Sequence, residues 1–168
     1  LQDSKNLRKE HWNIQKNAGI DIIPSNDFSF YDHVLDTSLM VGNIPDRFQP
    51  LLQVEQYPLY NVYFAMARGY QDSAFDIPAL EMTKWFDTNY HYIVPEFTRD
   101  QVFTFFCSKI VEEFIEASDM GIKTKPVMLG PVSYLLLGKE KEPGFHRLEL
   151  LDSLLDAYTK VLQILSGI

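Results

Sequence analysis

In the stretch 81-EMTKWFDTNYHYIVPEF-97, the polar residues Lys84, Asn89 and His91 are threaded between Trp85, Phe86, Tyr90, Tyr92 and Phe97. If Asp87-Thr88-Asn89 is a tight turn, Lys84 and Asn89 flank it and come within a few ångströms of each other. An ammonium and a carboxamide so placed are what a carboxylate or phosphate needs: charge from one, directional hydrogen bonds from the other. Aromatic neighbours lower the local dielectric and strengthen such a contact. The same residues also have a purely structural reading. In it Lys84 lies over Trp85 or pairs with Glu81, and Asn89 completes the turn. Composition and spacing leave both readings open.

Other residue types that could do chemistry lie where parallel α/β folds gather ligand groups, just past the C-terminal ends of strands. Three places qualify: 24-PSNDFS, the Asp87–Asn89 turn and 130-GPVS. Ser25 and Asp27 are candidate ligand groups, with capping of the next helix as the favoured role. Ser133, after Gly130-Pro131, reads as part of a structural turn. Asp32 and Asp36 stand four apart beside His33, a partial metal set that matches no zinc motif, and a solvated helix face is expected there. Cys107 is expected to be a small buried apolar group on a helix, because nothing in the sequence marks the helix N-terminus or base that would activate a thiol.

These residues need elements to hold them. Helical spacing over 4–18 ends at Gly19, and 20-IDIIP reads as a buried parallel strand. A helix is predicted over 28–42, then an irregular excursion over 43–80 containing a short helix from Pro58. Residues 83–94 form either a hairpin or one bent strand. Period-3.6 patterning predicts a helix over 100–120, 125-KPVMLG a strand, and 146–167 a long amphipathic helix. Strands alternating with helices imply right-handed βαβ units and a parallel sheet, in an α/β domain that is either doubly wound or part of a (β/α)8 barrel. No G-x-G-x-x-G or P-loop motif is present.

The 168 residues suffice for one domain with a sizeable core. A net charge of -8, with no Lys/Arg run, argues against a nucleic-acid partner. One cysteine excludes an intrachain disulfide and a thiolate metal cluster, and the absence of any long apolar run argues against a membrane span. A cytoplasmic location is expected. Both ends read as interior to something longer, so 1–168 is expected to be a single incomplete domain.

EMTKWFDTNYHYIVPEF resembles the N-terminal half of the cobalamin-independent methionine synthases, and GIDIIPSNDFSFYDHVLD and KPVMLGPVSYLLLGK resemble the same family in the same order. The resemblance implies two (β/α)8 barrels with facing strand ends, of which this chain would be about half of the first. It implies methyl transfer from 5-methyltetrahydropteroyltriglutamate to homocysteine, without cobalamin. A zinc ion would be held by one histidine, two cysteines and a glutamate of the C-terminal barrel, none of them in this chain. By the family's pattern, the lysine of MTKWF and the asparagine of DTNYHY contact the polyglutamate tail, which assigns that role to Lys84 and Asn89 and assigns no catalytic residue here. The family's first strand and the basic segment after it have no counterpart, and 42–80 diverges most. An anionic-metabolite-binding module and a purely structural barrel half are the alternatives. Too few strands to close a barrel predict marginal stability or self-association of the isolated chain.

Overall fold

The computed structural model describes residues 2–53 and 58–168. In chain order it contains α1 (Gln2–Asn17), β1 (Ile23–Ser25), α2 (His33–Met40), a 3-10 helix (Asp46–Gln53) and α3 (Pro58–Arg68). The short strands β2 (Tyr70–Gln71), β3 (Asp76–Ile77), β4 (Met82–Lys84), β5 (His91–Ile93) and β6 (Glu96–Phe97) follow. The chain continues through α4 (Lys109–Asp119), β7 (Thr124–Pro126), α5 (Pro131–Leu137), β8 (Lys139–Glu140), a second 3-10 turn (Arg147–Leu150) and α6 (Leu151–Ser166).

The strands join in pairs. β1 lies parallel to β7 with Ile23 opposite Thr124, and β6 lies parallel to β8 with Phe97 opposite Glu140. β2–β3 and β4–β5 are antiparallel hairpins. The chain is thus a mixed α/β fold with short parallel pairs, and no closed barrel forms among the described residues.

Two expected helices are shorter than their periodicity suggested, each for a local reason. The helix predicted over 28–42 begins only at His33, because Asp32 is its cap and accepts from the Leu35 amide at 2.8 Å. The residues before it serve α3 instead: Phe30 packs edge-on against Tyr60 and Phe64, and the Tyr31 amide donates to the Tyr63 hydroxyl. The helix predicted over 100–120 begins only at Lys109. Residues 103–106 run extended, with the Thr104 and Phe106 amides donating to the carbonyls of Val41 and Met40. Phe103 is buried and its neighbour Val102 exposed, the alternation of a strand. Aromatic and β-branched residues in 102-VFTFF favour that extended form over helix.

The 43–80 excursion is part loop and part helix, as expected, with an additional small hairpin in β2 and β3; residues 54–57 lie outside the described residues. Residues 83–94 resolve the earlier choice in favour of a hairpin.

The largest core joins α2, the 92–103 region, α5 and α6 around Phe97, Tyr134, Leu154 and Val161. A second surrounds Phe48, Leu51 and Met66 of the excursion, and a smaller one sets Trp12 of α1 against Ile23, Ala117 and Ile122. A polar network is sealed in the first: Gln101 donates to Asn43, Asn43 donates to the Tyr134 hydroxyl at 2.7 Å, and that hydroxyl donates to Ser38. Tyr134→Phe removes the shared hydroxyl and leaves the Asn43 amide without its acceptor, so a loss of about 1–3 kcal/mol is expected in urea unfolding.

Candidate ligand-binding site

The β4–β5 hairpin turns through a four-residue loop, 86–89. The Trp85 amide donates to the Tyr90 carbonyl at 2.7 Å, and the Thr88 amide donates back to the Trp85 carbonyl. Thr88 completes this turn with its hydroxyl, which donates to the Trp85 carbonyl at 2.6 Å and accepts from the Tyr90 amide. Asn89 is therefore spared that task. Its carbonyl meets the His91 ring at 2.9 Å, and no described hydrogen bond uses its carboxamide. Lys84 stands opposite His91 in the register, not opposite Asn89. Glu81, the expected partner of Lys84, is taken by Lys139 at 2.6 Å. Among the described residues no carboxylate pairs with Lys84 and no aromatic ring lies under it. Side chains alternate across a hairpin, so Lys84 and His91 share one face while Trp85, Tyr90 and Tyr92 line the other. On that second face Trp85 meets Tyr92 and Tyr90 edge-on at 5.8 and 6.5 Å.

The hairpin is fixed at its base. Asp32 has no exposed surface; one carboxylate oxygen caps α2 through Leu35, and the other accepts from the Ile93 amide of β5 at 2.9 Å. One side chain thus joins a helix start to the strand that carries the loop. Burial pushes the Asp32 pKa up to about 6, against the backbone donors and despite them. At the outer edge the Tyr92 hydroxyl donates to the Leu137 carbonyl of α5.

Beside this lies a chain of charged groups past the ends of β1 and β7. Lys109 sits 3.1 Å from Asp36 and 3.4 Å from Glu113, and it donates to the Asn26 side chain. Arg8 from α1 pairs with Glu113 and Glu116 on the other side. Asn26, in the left-handed region at φ 57, also donates to the Val127 carbonyl and so ties the two strand ends together. Burial raises the Glu113 pKa, and burial likewise lowers that of His33, whose Nε2 is buried without a partner. The cavity among His33, Asp36, Cys107 and Lys109 measures about 10 Å³, room for one water.

The expectation of a solvated Asp32–Asp36 face is therefore overturned. Asp32 is a buried double acceptor and Asp36 is held by Lys109 and Ser29. Sequence periodicity showed the i, i+4 relation but not that α4 and β5 would cover it. Among the described residues no three His, Cys, Asp or Glu side chains gather as a metal set, and the Lys109 ammonium fills the place beside Asp36 where a cation would sit. The zinc of the family resemblance does not fit these residues.

Ser25 is fully buried rather than capping, and Asp27 is exposed on a groove that α1 lines with Arg8, His11 and Trp12. Ser133 is an exposed first-turn residue of α5. Cys107 lies partly buried on the extended stretch, not on a helix, and burial raises its pKa. The residues that sequence reasoning missed are Asp32 as anchor, Asn26 as strand tie, and Arg8 and Lys109 as ion partners. Only Asp32, an aspartate three residues ahead of 35-LDTSLM, carried a readable capping signal.

The chain matches the family model described as cobalamin-independent synthase, N-terminal domain, over residues 1–167. It is 59% identical over 167 residues to a protein of Cytophaga hutchinsonii, and 58% identical over 163 residues to one of Flavobacterium johnsoniae. A Saccharomyces cerevisiae protein is 49% identical over 171 residues. Each match covers 97–98% of this chain, and each relative is named 5-methyltetrahydropteroyltriglutamate–homocysteine methyltransferase. The chain belongs to the cobalamin-independent synthase family and corresponds to its N-terminal domain. It spans only 21–22% of the length of these relatives. No helix among the described residues is long and apolar enough to cross a membrane.

Proposed function

We propose that this chain is the tail-binding segment of a cytoplasmic methyltransferase that moves a methyl group from 5-methyltetrahydropteroyltriglutamate to homocysteine. In this reading the segment folds as part of a (β/α)8 barrel. The chemistry at the homocysteine sulfur, with its zinc ion, belongs to a C-terminal barrel beyond these residues. This chain's own contribution is electrostatic capture of the glutamate tail, with Lys84 as the point charge and Asn89 as the directional donor. The observation that supports it best is that Lys84 is left unpaired among the described residues while Lys139 occupies Glu81. The Asn89 carboxamide is likewise left over because Thr88 makes the turn. An acidic chain of net charge -8 must hold a polyanion with a few placed cations, not with its overall field.

Thermal unfolding with triglutamyl and monoglutamyl methyl-folate tests this. A ligand that binds only the folded state adds about 2.7 kcal/mol at a hundredfold excess over its Kd, so a triglutamate-specific rise in Tm is expected. Lys84→Ala should weaken triglutamate binding about tenfold or more, the worth of one charge-assisted hydrogen bond, with the ligand-free melt unchanged. Equal affinity in the variant would remove Lys84 from the site.

A further inference from the structure

α1 is held to the rest of the fold along one narrow line. Only Ser4, Arg8 and Trp12, spaced four apart, are buried on it, and Trp12 is the one large apolar side chain among them. Leu7 and Ile14, which would widen the line, are exposed. Trp12 packs in a small cluster with Ile23, Ala117 and Ile122, apart from the two larger cores. Its indole N–H donates to the Pro24 carbonyl at 3.0 Å, and the Lys16 ammonium donates to the Gly121 carbonyl at 3.2 Å. A groove of about 450 Å³ runs between α1 and residues 27–29. The remaining attachment is electrostatic. Arg8 is 8% exposed and pairs with Glu113 and Glu116 of α4. Asp36, Glu113 and Glu116 share two cations, Arg8 and Lys109, and both cations meet the same Glu113 oxygen, Oε1. Arg8 Nε, Glu113 Oε2 and Glu116 Oε1 are buried and meet no described partner. An ion cluster desolvated this far and satisfied only in part contributes little net stability, although removing one member strands the others.

We propose that α1 is a strap that undocks as a unit while the rest of the fold stays closed, with Arg8 as its latch. Segments with few buried apolar contacts open well below the free energy of global unfolding. α6 is the contrast, since it buries Leu154, Ala157, Tyr158 and Val161 in the largest core. Undocking carries Arg8 away from α4 and leaves Lys109 as the one described cation beside Asp36 and Glu113. The position of α1 is thereby coupled to the charges past the ends of β1 and β7. It also frees the Pro24 carbonyl of β1, which the Trp12 indole covers in the docked state.

Native-state hydrogen exchange of the chain, read helix by helix, tests this. The amides of α1 are expected to exchange about a hundredfold faster than those of α6, through an opening that low urea concentrations barely accelerate. Arg8→Met keeps an unbranched apolar stem and removes the charge. It should speed α1 exchange about tenfold or more, the worth of a charge-assisted hydrogen bond, and leave α6 unchanged. Lys9→Met places the same substitution on the exposed face of the helix and should leave both rates as they were, which separates the latch from a change in helix propensity. Equal protection of α1 and α6, or acceleration of both helices alike by Arg8→Met, overturns the proposal, because α1 would then open only with the whole fold. An Arg8→Met chain that fails to fold overturns it too, since the rest of the fold is expected to stand without the latch. Equal α1 exchange in Arg8→Met and Lys9→Met removes Arg8 from that role.

Discussion

Asp32→Ala is expected to destabilise the chain by about 3 kcal/mol in urea unfolding, because it strands two buried backbone amides at once. The Leu35 amide loses the cap of α2 and the Ile93 amide loses the bond that seats the hairpin. Neither can turn to water, since the carboxylate between them is fully buried. Asp32→Asn retains one acceptor oxygen but turns an NH₂ group toward the other amide, so an intermediate loss is expected. The pH dependence separates charge from geometry. Burial raises the Asp32 pKa from 3.8 to about 6, so the folded chain keeps a proton that the unfolded chain has already released. The stability from that protonation is complete below pH 4 and is lost as pH rises through 6. By linkage the loss is at most about 3 kcal/mol. Asp32→Asn should flatten this slope between pH 4 and 6. An unchanged slope in the variant would assign it to another group.

Gly138→Ala is expected to cost about 3 kcal/mol or more, the upper range for overpacking a filled core. A Cβ at this position would lie 2.1 Å from Cε2 of Phe97 and 2.8 Å from the Pro95 carbonyl oxygen. Phe97 has nowhere to move: it is fully buried between Phe103 and Tyr134. The glycine is required here for close approach and not for an unusual φ, since its backbone is extended. It lets the chain leave α5 and lie against β6, where the Lys139 amide donates to the Pro95 carbonyl. Arg147 then donates to the Gly138 carbonyl and pairs with Glu140, closing the corner. A Phe97→Leu partner substitution should recover part of the loss in Gly138→Ala, because a smaller side chain vacates the space the methyl needs. Strict additivity of the two changes would show that the clash with Pro95, not with the ring, dominates.

The elements that periodicity made legible were those whose patterning answers to one neighbour. α3 and α6 lie where their apolar spacing puts them. α1 forms over the expected span but buries Ser4, Arg8 and Trp12 and leaves Leu7 and Ile14 exposed. β1 and β7 each overlap only one end of the apolar runs 20-IDIIP and 125-KPVMLG. The 102-VFTFF stretch misled because its aromatics satisfy a 3.6 and a 2.0 period nearly equally. Only the carbonyls of Met40 and Val41, some 60 residues earlier in the chain, settle it as extended. The hairpin residues were legible as chemistry because lysine and asparagine among aromatics ask for an explanation. What holds them was not, because Asp32 reaches Ile93 across 61 positions. The buried ion pairs were equally hidden: Arg8 and Glu116 are 108 residues apart, and no local pattern records such a pairing.

The parallel pair of β1 and β7 has a consequence for how the chain is made. Thr124 follows Ile23 by 101 positions, so β1, once made, waits through that much further synthesis for its described strand partner. At about 5–20 residues per second that interval lasts roughly 5–20 s. Through it Ile20 and Ile22, exposed even in the finished fold, are presented beside an open strand edge. Nascent chains on neighbouring ribosomes of one message carry the same edge, and holdase chaperones recognise such apolar segments. The order of synthesis, and not the final packing alone, therefore sets when this fold is most vulnerable.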